Sequence, residues 1–294
     1  MTMLINAARR PLPVVLDPTP DELLSSWLHR HAAFYGLTEP MLISWLKLES
    51  KKLRSLDFRP GLGQIARIVD SFRTDPMDVV AMTHTALPIE VAALVGRGKP
   101  IQFCRTCCER HRAADTPGAV LKSWLEAWRV TCPLCGSPLS EIEGPRAGCD
   151  TVRNTSPFGD HWDAAKIGEE LVNRHLRGEP TPLASPIAMM RLLLILNRPQ
   201  TTQPPEGYNK SWLLNEIVPG FDAEALRIAP SISKGANAMV PLYLRIALLA
   251  GLAVAAKNAA DTIQRLRPFC RPVYRKRFDE LAYAALGMPL EFSI

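Results

Sequence analysis

The sequence predicts a mainly α-helical protein in which two helical regions flank a cysteine-rich central module. Three observations carry that prediction. Apolar residues recur at helical spacing through most of the 294-residue chain. Its 26 prolines, about twice ordinary usage, are scattered and cut the chain into short helices. The helical period fails in one place, residues 97–150, where Cys, Gly and Pro become frequent. The chain therefore divides into a helical N-terminal region (1–96), the central module (97–150) and a helical C-terminal region (151–294). With 47% hydrophobic residues the chain can bury a core, which excludes wholesale disorder. Its most apolar stretch, 246–256, is too short for a bilayer, which needs about 20 such residues, and is read as a buried helix. No membrane association is expected.

The elements follow in order. Thr19-Pro20-Asp21-Glu22 predicts a helix start, with Thr19 as cap, Pro20 at the first helical position and Glu22 folding back. Leu23, Trp27 and Phe34 then run beside Leu24, Leu28 and Tyr35, and Gly36 is placed to end the helix in the left-handed conformation. A second helix after Thr38 takes in Met41, Ile43, Trp45 and Leu46. Beyond Pro60-Gly61, the residues Ile65, Ile68, Val69 and Phe72 form an apolar face, and Thr74-Asp75-Pro76 begins a further short helix through Val79, Val80 and Met82. Two short helices joined by a tight turn give a helix-turn-helix-like outline, which any small helical bundle also contains. In the C-terminal region helices are predicted over 162–176, 186–196, 210–217, 241–266 and 273–286, with the polar, Pro-rich segment 198–208 as linker.

Four of the seven cysteines form two CxxC pairs, Cys104/Cys107 and Cys132/Cys135, with 24 residues between the pairs. Each pair offers two thiolates from one tight turn, and two such turns complete the closed tetrahedral shell that Zn2+ prefers. The central module is therefore predicted to be zinc-ribbon-like, with one structural ion. In the run CPLCG, Pro133 stiffens the turn and Gly136 is free to adopt positive φ. The spacer 119–129 is read as a helix carrying Trp124 and Trp128 on one face over the site. Cys108 and His111 adjoin the first pair as competing ligands, the CxxC bite favouring Cys107, while Cys149 and Cys270 stand alone. Four thiolates leave no open position for water, so a catalytic ion is not expected. CxxC pairs in a chain whose N-terminus lacks the order of a signal peptide point to a reducing compartment and a cytoplasmic location.

The net charge of +6 is matched by six cations in residues 265–277, a window without acidic residues: Arg265, Arg267, Arg271, Arg275, Lys276 and Arg277. One concentrated patch suits contact with a polyanion, and these six are the candidate nucleic-acid-binding residues; a solvated basic face is the plainer alternative. Enzyme signatures are missing or lack their setting. Gly61-x-Gly63-x-x-Ala66 precedes a helix but follows no buried strand, and there is no GxxxxGK[ST], HExxH or GxSxG. His29 and His31 fall on different faces of one helix, and Asp160-His161-Trp162 reads as a helix start.

Two stretches carry a family resemblance. Pro18, Pro20 to His31 and Gly36 resemble the N-terminal signature of TniQ proteins, and the order that follows is also similar: FCRTC, a spacer with Trp124 and Trp128-Arg129-Val130, and CPLCGSPL ending at Leu139. The resemblance covers residues 10–140. It implies a non-enzymatic transposition accessory protein that links a DNA target, or an RNA-guided DNA-targeting complex, to an AAA+ ATPase of the TniB/TnsC type. It also implies a homodimer and assigns the zinc role to Cys104, Cys107, Cys132 and Cys135. Where relatives commonly have CPxH, this chain has Cys135, an equally good ligand, and Cys149 has no partner for a second site. A zinc-containing helical transcription regulator is the alternative reading.

Overall fold

The structure, a computed structural model, describes residues 11–85, 87–96, 102–114, 118–141, 151–197, 211–228 and 240–288. Among them the chain is mainly helical, with helical regions before and after a small two-stranded sheet. Packing gathers it into two compact units, Met1–Pro88 with Thr106–Trp124, and Ile89–Arg105 with Leu125–Ile294.

The first unit contains α1 (Leu24–Phe34), α2 (Glu39–Leu46), a 3-10 turn (Leu53–Asp57), α3 (Leu62–Phe72) and α4 (Pro76–Ala81). Helix α1 begins four residues later than the Thr19-Pro20 signal suggests, because Asp21 takes φ 62° and Glu22 pairs with Leu121 in an isolated antiparallel bridge. Glu22 does fold back onto the Thr19 N–H at 2.9 Å, but as a buried acceptor that also holds the Ser26 hydroxyl and both Nε and Nη2 of Arg30. Since Leu23 cannot cap α1, a distant carboxylate does so: Asp57 accepts the Ser25 N–H at 2.8 Å and its hydroxyl at 2.7 Å. Gly36 has the expected positive φ, 64°.

Trp27, Leu28, Leu42, Leu46, Ile68 and Phe72 meet in the core of this unit. His31 sits there too, edge-on to Trp27 and Phe72. Its Nδ1 donates to the Trp27 carbonyl and its Nε2 accepts the Leu16 N–H, and burial lowers its pKa, so the ring is neutral. The GxGxxA run is the start of α3, where Gln64 Oε1 accepts the Gly61 N–H at 2.8 Å. Residues 73–75 join α3 to α4, and Asp75 caps α4 through the Met77 N–H at 2.7 Å. The two-helix outline is therefore present, but α4 spans only six residues and exposes Pro76, Met77, Asp78 and Ala81 without a single cation.

Next come α5 (Ile89–Ala92), β1 (Gln102–Phe103), α6 (Arg105–Ala113) and β2 (Ser140–Glu141). The spacer 119–129 is not the predicted helix. Its backbone is used in pairing, Leu121 with Glu22 and Glu126 with Val95, which leaves room only for the 3-10 turn Lys122–Leu125. Trp124 and Trp128 are both buried but share no helical face.

The remainder is helical: α7 (Val152–Thr155), α8 (Trp162–Leu176), α9 (Pro186–Leu193), α10 (Phe221–Ile228), α11 (Leu242–Lys257), α12 (Ala259–Leu266) and α13 (Arg275–Leu286). Helix α8 has the bounds read from sequence, entered through the 3-10 turn Gly159–His161, and Ser185 caps α9 by accepting the Ala188 N–H at 3.1 Å. Helix α11 is buried on nearly every side. Helix α8 crosses it so closely at Gly168 that a Cβ there would lie 2.0 Å from the Leu249 carbonyl oxygen. The single helix predicted over 241–266 is two, bent by 114° at Asn258. Among the described residues no single helix is long and apolar enough to cross a membrane. The predicted linker 198–208 and Cys149 lie outside the described residues.

Candidate metal centre

Local geometry assembles the cysteines in steps. Residues 130–139 fold back as a tight hairpin, in which Val130 accepts the Leu139 N–H, Thr131 bridges Pro138, and Cys132 donates its N–H to the Ser137 carbonyl at 2.9 Å. Cys132 and Cys135 occupy its tip, which closes because Gly136 takes φ 72° and returns its N–H to the Cys132 carbonyl at 2.8 Å. The strand leaving this hairpin is β2, and it pairs antiparallel with β1, Phe103 opposite Ser140. That register delivers Cys104, the next residue after β1, to the hairpin. Cys107 follows three residues on, in the first turn of α6.

The Sγ atoms of Cys104, Cys107, Cys132 and Cys135 all lie within 4.8 Å of one another, with three of the cysteines buried and Cys135 partly so. Cys104 and Cys135 sulfurs stand 3.4 Å apart, and none of the four cysteines is in a disulfide. A tetrahedral ion with Zn–S bonds of about 2.3 Å holds its sulfurs about 3.8 Å apart, within this spread. The donor set and its spacing thus fit a closed four-thiolate metal site. Cys108, partly exposed, and His111, buried farther along α6, are not members of the cluster. Cys107 of the first pair rides on a helix, and among the described residues the sheet has two strands of two residues, which is less than a zinc ribbon.

Two buried charged residues that sequence reading passes over hold the arms of the cluster. Glu169 of α8 accepts the N–H groups of Val130 (3.1 Å) and Thr131 (3.0 Å) and the Thr131 hydroxyl (2.9 Å), directly ahead of Cys132. Burial raises its pKa, against the pull of the Arg129 guanidinium and these hydrogen bonds. Arg245 of α11 donates to Gln102 Oε1 at 2.6 Å and to the Arg129 carbonyl at 2.5 Å, and burial lowers its pKa to about 10. The only sequence signal for either was a charge on an otherwise apolar helix face.

The basic window is used unevenly. Arg267 pairs with Asp279 at 3.1 Å, and Arg271 donates to the Asn197 carbonyl at 2.6 Å. Arg265 and Lys276 are exposed, and Arg275 and Arg277 are half-buried. Arg275, Lys276 and Arg277 occupy the first turn of α13.

These features define a class: a mainly helical protein organised at a buried cluster of four cysteines, with no catalytic motif in its sequence. The sequence pattern of the TniQ family matches residues 13–137, a stretch that contains the N-terminal motif and all four cluster cysteines. Through this stretch, less than half of its length, the chain is similar to the TniQ family, whose members are non-catalytic transposition accessory proteins. No curated protein and no solved structure matches the chain.

Proposed function

We propose that this protein is an adaptor of transposition, linking a DNA target or an RNA-guided DNA-targeting complex to an AAA+ ATPase of the TniB/TnsC type, and acting in the cytoplasm as a homodimer. The observation that carries the reading is the family match over residues 13–137, which takes in the whole cysteine cluster. In this reading Cys104, Cys107, Cys132 and Cys135 hold one structural Zn2+. The bound ion would neutralise buried thiolates and fix the hairpin tip against α6, and the chain's own residues would supply the binding surfaces.

The nucleic-acid-facing residues in this proposal come from the basic window. Arg265, Arg275, Lys276 and Arg277 are the ones available to phosphate, while Arg267 and Arg271 have structural partners. Three cations on the first turn of a helix stand where the helix dipole is already positive, which disfavours them in isolation and favours an anion beside them. The helix-turn-helix reading of α3 and α4 has less support, since the exposed face of α4 offers Met77 and Asp78 but no cation.

The test is a pull-down of the full-length protein against a TniB/TnsC-type ATPase, with and without ATP and with and without DNA. ATP-dependent retention is expected. Tight binding to one DNA sequence with no retention of the ATPase would replace the adaptor by a transcription regulator.

A further inference from the structure

Carboxylates and guanidinium groups are costly to bury in a protein interior, and a site that keeps them has a use for their directed hydrogen bonds. Glu169 and Arg245 are 3% and 1% exposed. Arg245 Nη2 donates to the Val240 carbonyl just ahead of its own helix at 3.2 Å, but the other side-chain hydrogen bonds of both residues reach the arms of the cluster. Glu169 Oε2 takes the backbone N–H groups of Val130 and Thr131, the two residues before Cys132, and Oε1 takes the Thr131 hydroxyl. Arg245 Nη1 reaches the carbonyl of Arg129, one residue earlier on the same arm. The same nitrogen reaches the side chain of Gln102, two residues before Cys104, and Gln102 in turn donates to the Glu126 carbonyl at 2.9 Å. One buried cation therefore joins the approaches to both CxxC pairs, and one buried carboxylate holds the arm that leads into the second pair.

We propose that Glu169 and Arg245 are positioning residues of the metal centre, so that α8 and α11 preorganise the four thiols and metal binding in return stabilises the packing of those helices. The inference rests on the metal reading given above. It goes beyond that reading because the donors of order lie 37 and 113 residues after Cys132 in the sequence, far outside the stretch that matches the family. Reciprocity is required: whatever α8 and α11 contribute to metal affinity, the metal contributes to their stability. A group that only stabilises the fold acts differently. While the apoprotein stays folded, a loss of stability elsewhere leaves metal affinity unchanged.

The experiment measures Zn2+ affinity of the full-length protein by chelator competition, with Co2+ absorption reporting the ligand geometry, in wild type, Glu169→Ala, Glu169→Gln and Ile68→Ala. Ile68 is a buried core residue of α3, outside α8, α11 and the hydrogen-bonded network, and serves as the stability control. Glu169→Ala is expected to weaken Zn2+ by about 10–100-fold and to lower the intensity of the tetrahedral Co2+ bands. Glu169→Gln should rescue, because its amide oxygen still accepts both N–H groups and its NH2 donates to Thr131. Ile68→Ala should lose stability with wild-type affinity. Should Glu169→Ala fail to fold, Thr131→Val, which deletes one of the three hydrogen bonds, is expected to show a smaller but measurable fall in affinity. Wild-type affinity in Glu169→Ala or Thr131→Val, or an equal loss in Ile68→Ala, overturns the proposal. A wild-type protein that binds neither Zn2+ nor Co2+ overturns the metal reading itself, and this inference with it.

Discussion

Asp57 is a carboxylate 1% exposed, held by Ser25 at the open end of α1, and burial raises its pKa to about 6. Nearby in sequence terms but opposite in sign is His84, whose pKa burial lowers to about 4. Asp57 favours folding when protonated, so its contribution is complete below pH 4 and is lost as pH rises through 6. His84 favours folding when neutral, so its contribution is present above pH 6.5 and is lost as pH falls through 4. The two oppose each other across the same window. Asp57→Asn keeps an acceptor for the Ser25 N–H and removes one titration. It is therefore expected to gain on the order of 1–3 kcal/mol over wild type at pH 7.5 and little at pH 4.5, read by urea unfolding. An identical difference at both pH values contradicts this assignment. What the sequence discloses at this scale is local: Gly36, Gly136, the Asp75 cap and the CxxC bites all act within a few residues of themselves. The partners of Ser25, Gln102 and Thr131 do not, because Asp57, Arg245 and Glu169 reach them only through the fold.

At the scale of elements, the contact of α8 with α11 turns on one missing side chain. A Cβ at Gly168 meets backbone, the Leu249 carbonyl oxygen at 2.0 Å, whereas a Cβ at Gly251 meets the tip of Leu214 at 2.4 Å. Backbone in the middle of a packed helix cannot withdraw, and a leucine methyl can rotate. Gly168→Ala is therefore expected to cost about 3 kcal/mol or more, and Gly251→Ala clearly less. Thermal unfolding of the two variants checks the order; equal losses contradict it. The bend at Asn258 divides the long helix that the sequence predicts over 241–266. No Pro or Gly marks it, and the signal is a change of pattern, from α11, buried all round, to α12, buried on one face at Thr262, Ile263 and Leu266. The spacer with Trp124 and Trp128 has a helical period, but two β-bridges at Leu121 and Glu126 claim its backbone.

For the whole molecule, charge and metal carry separate predictions. If the four available cations contact phosphates, each contributes a slope of about −0.9 in log K against log salt. Replacing Arg265, Arg275, Lys276 and Arg277 with Gln should flatten the slope of DNA binding, and an unchanged slope leaves the window as solvated surface. Arg271→Glu is a different experiment, since it breaks the bond to Asn197 and reports on folding. The helical class and the cysteine pairs were legible because periodicity and spacing are properties of the chain itself. The use made of the basic window was not, because Asp279 and the Asn197 carbonyl, which engage two of its six cations, lie outside it.

The cluster of four thiols within 4.8 Å is where the architecture of the central module and its proposed metal meet. Elemental analysis of the full-length protein, purified without added metal, tests it most directly. One zinc per chain is predicted, with Cys132→Ser failing to yield soluble protein because at such sites binding energy is folding energy. A folded, soluble preparation with no bound metal and all four cysteines reactive to a thiol reagent would contradict the account.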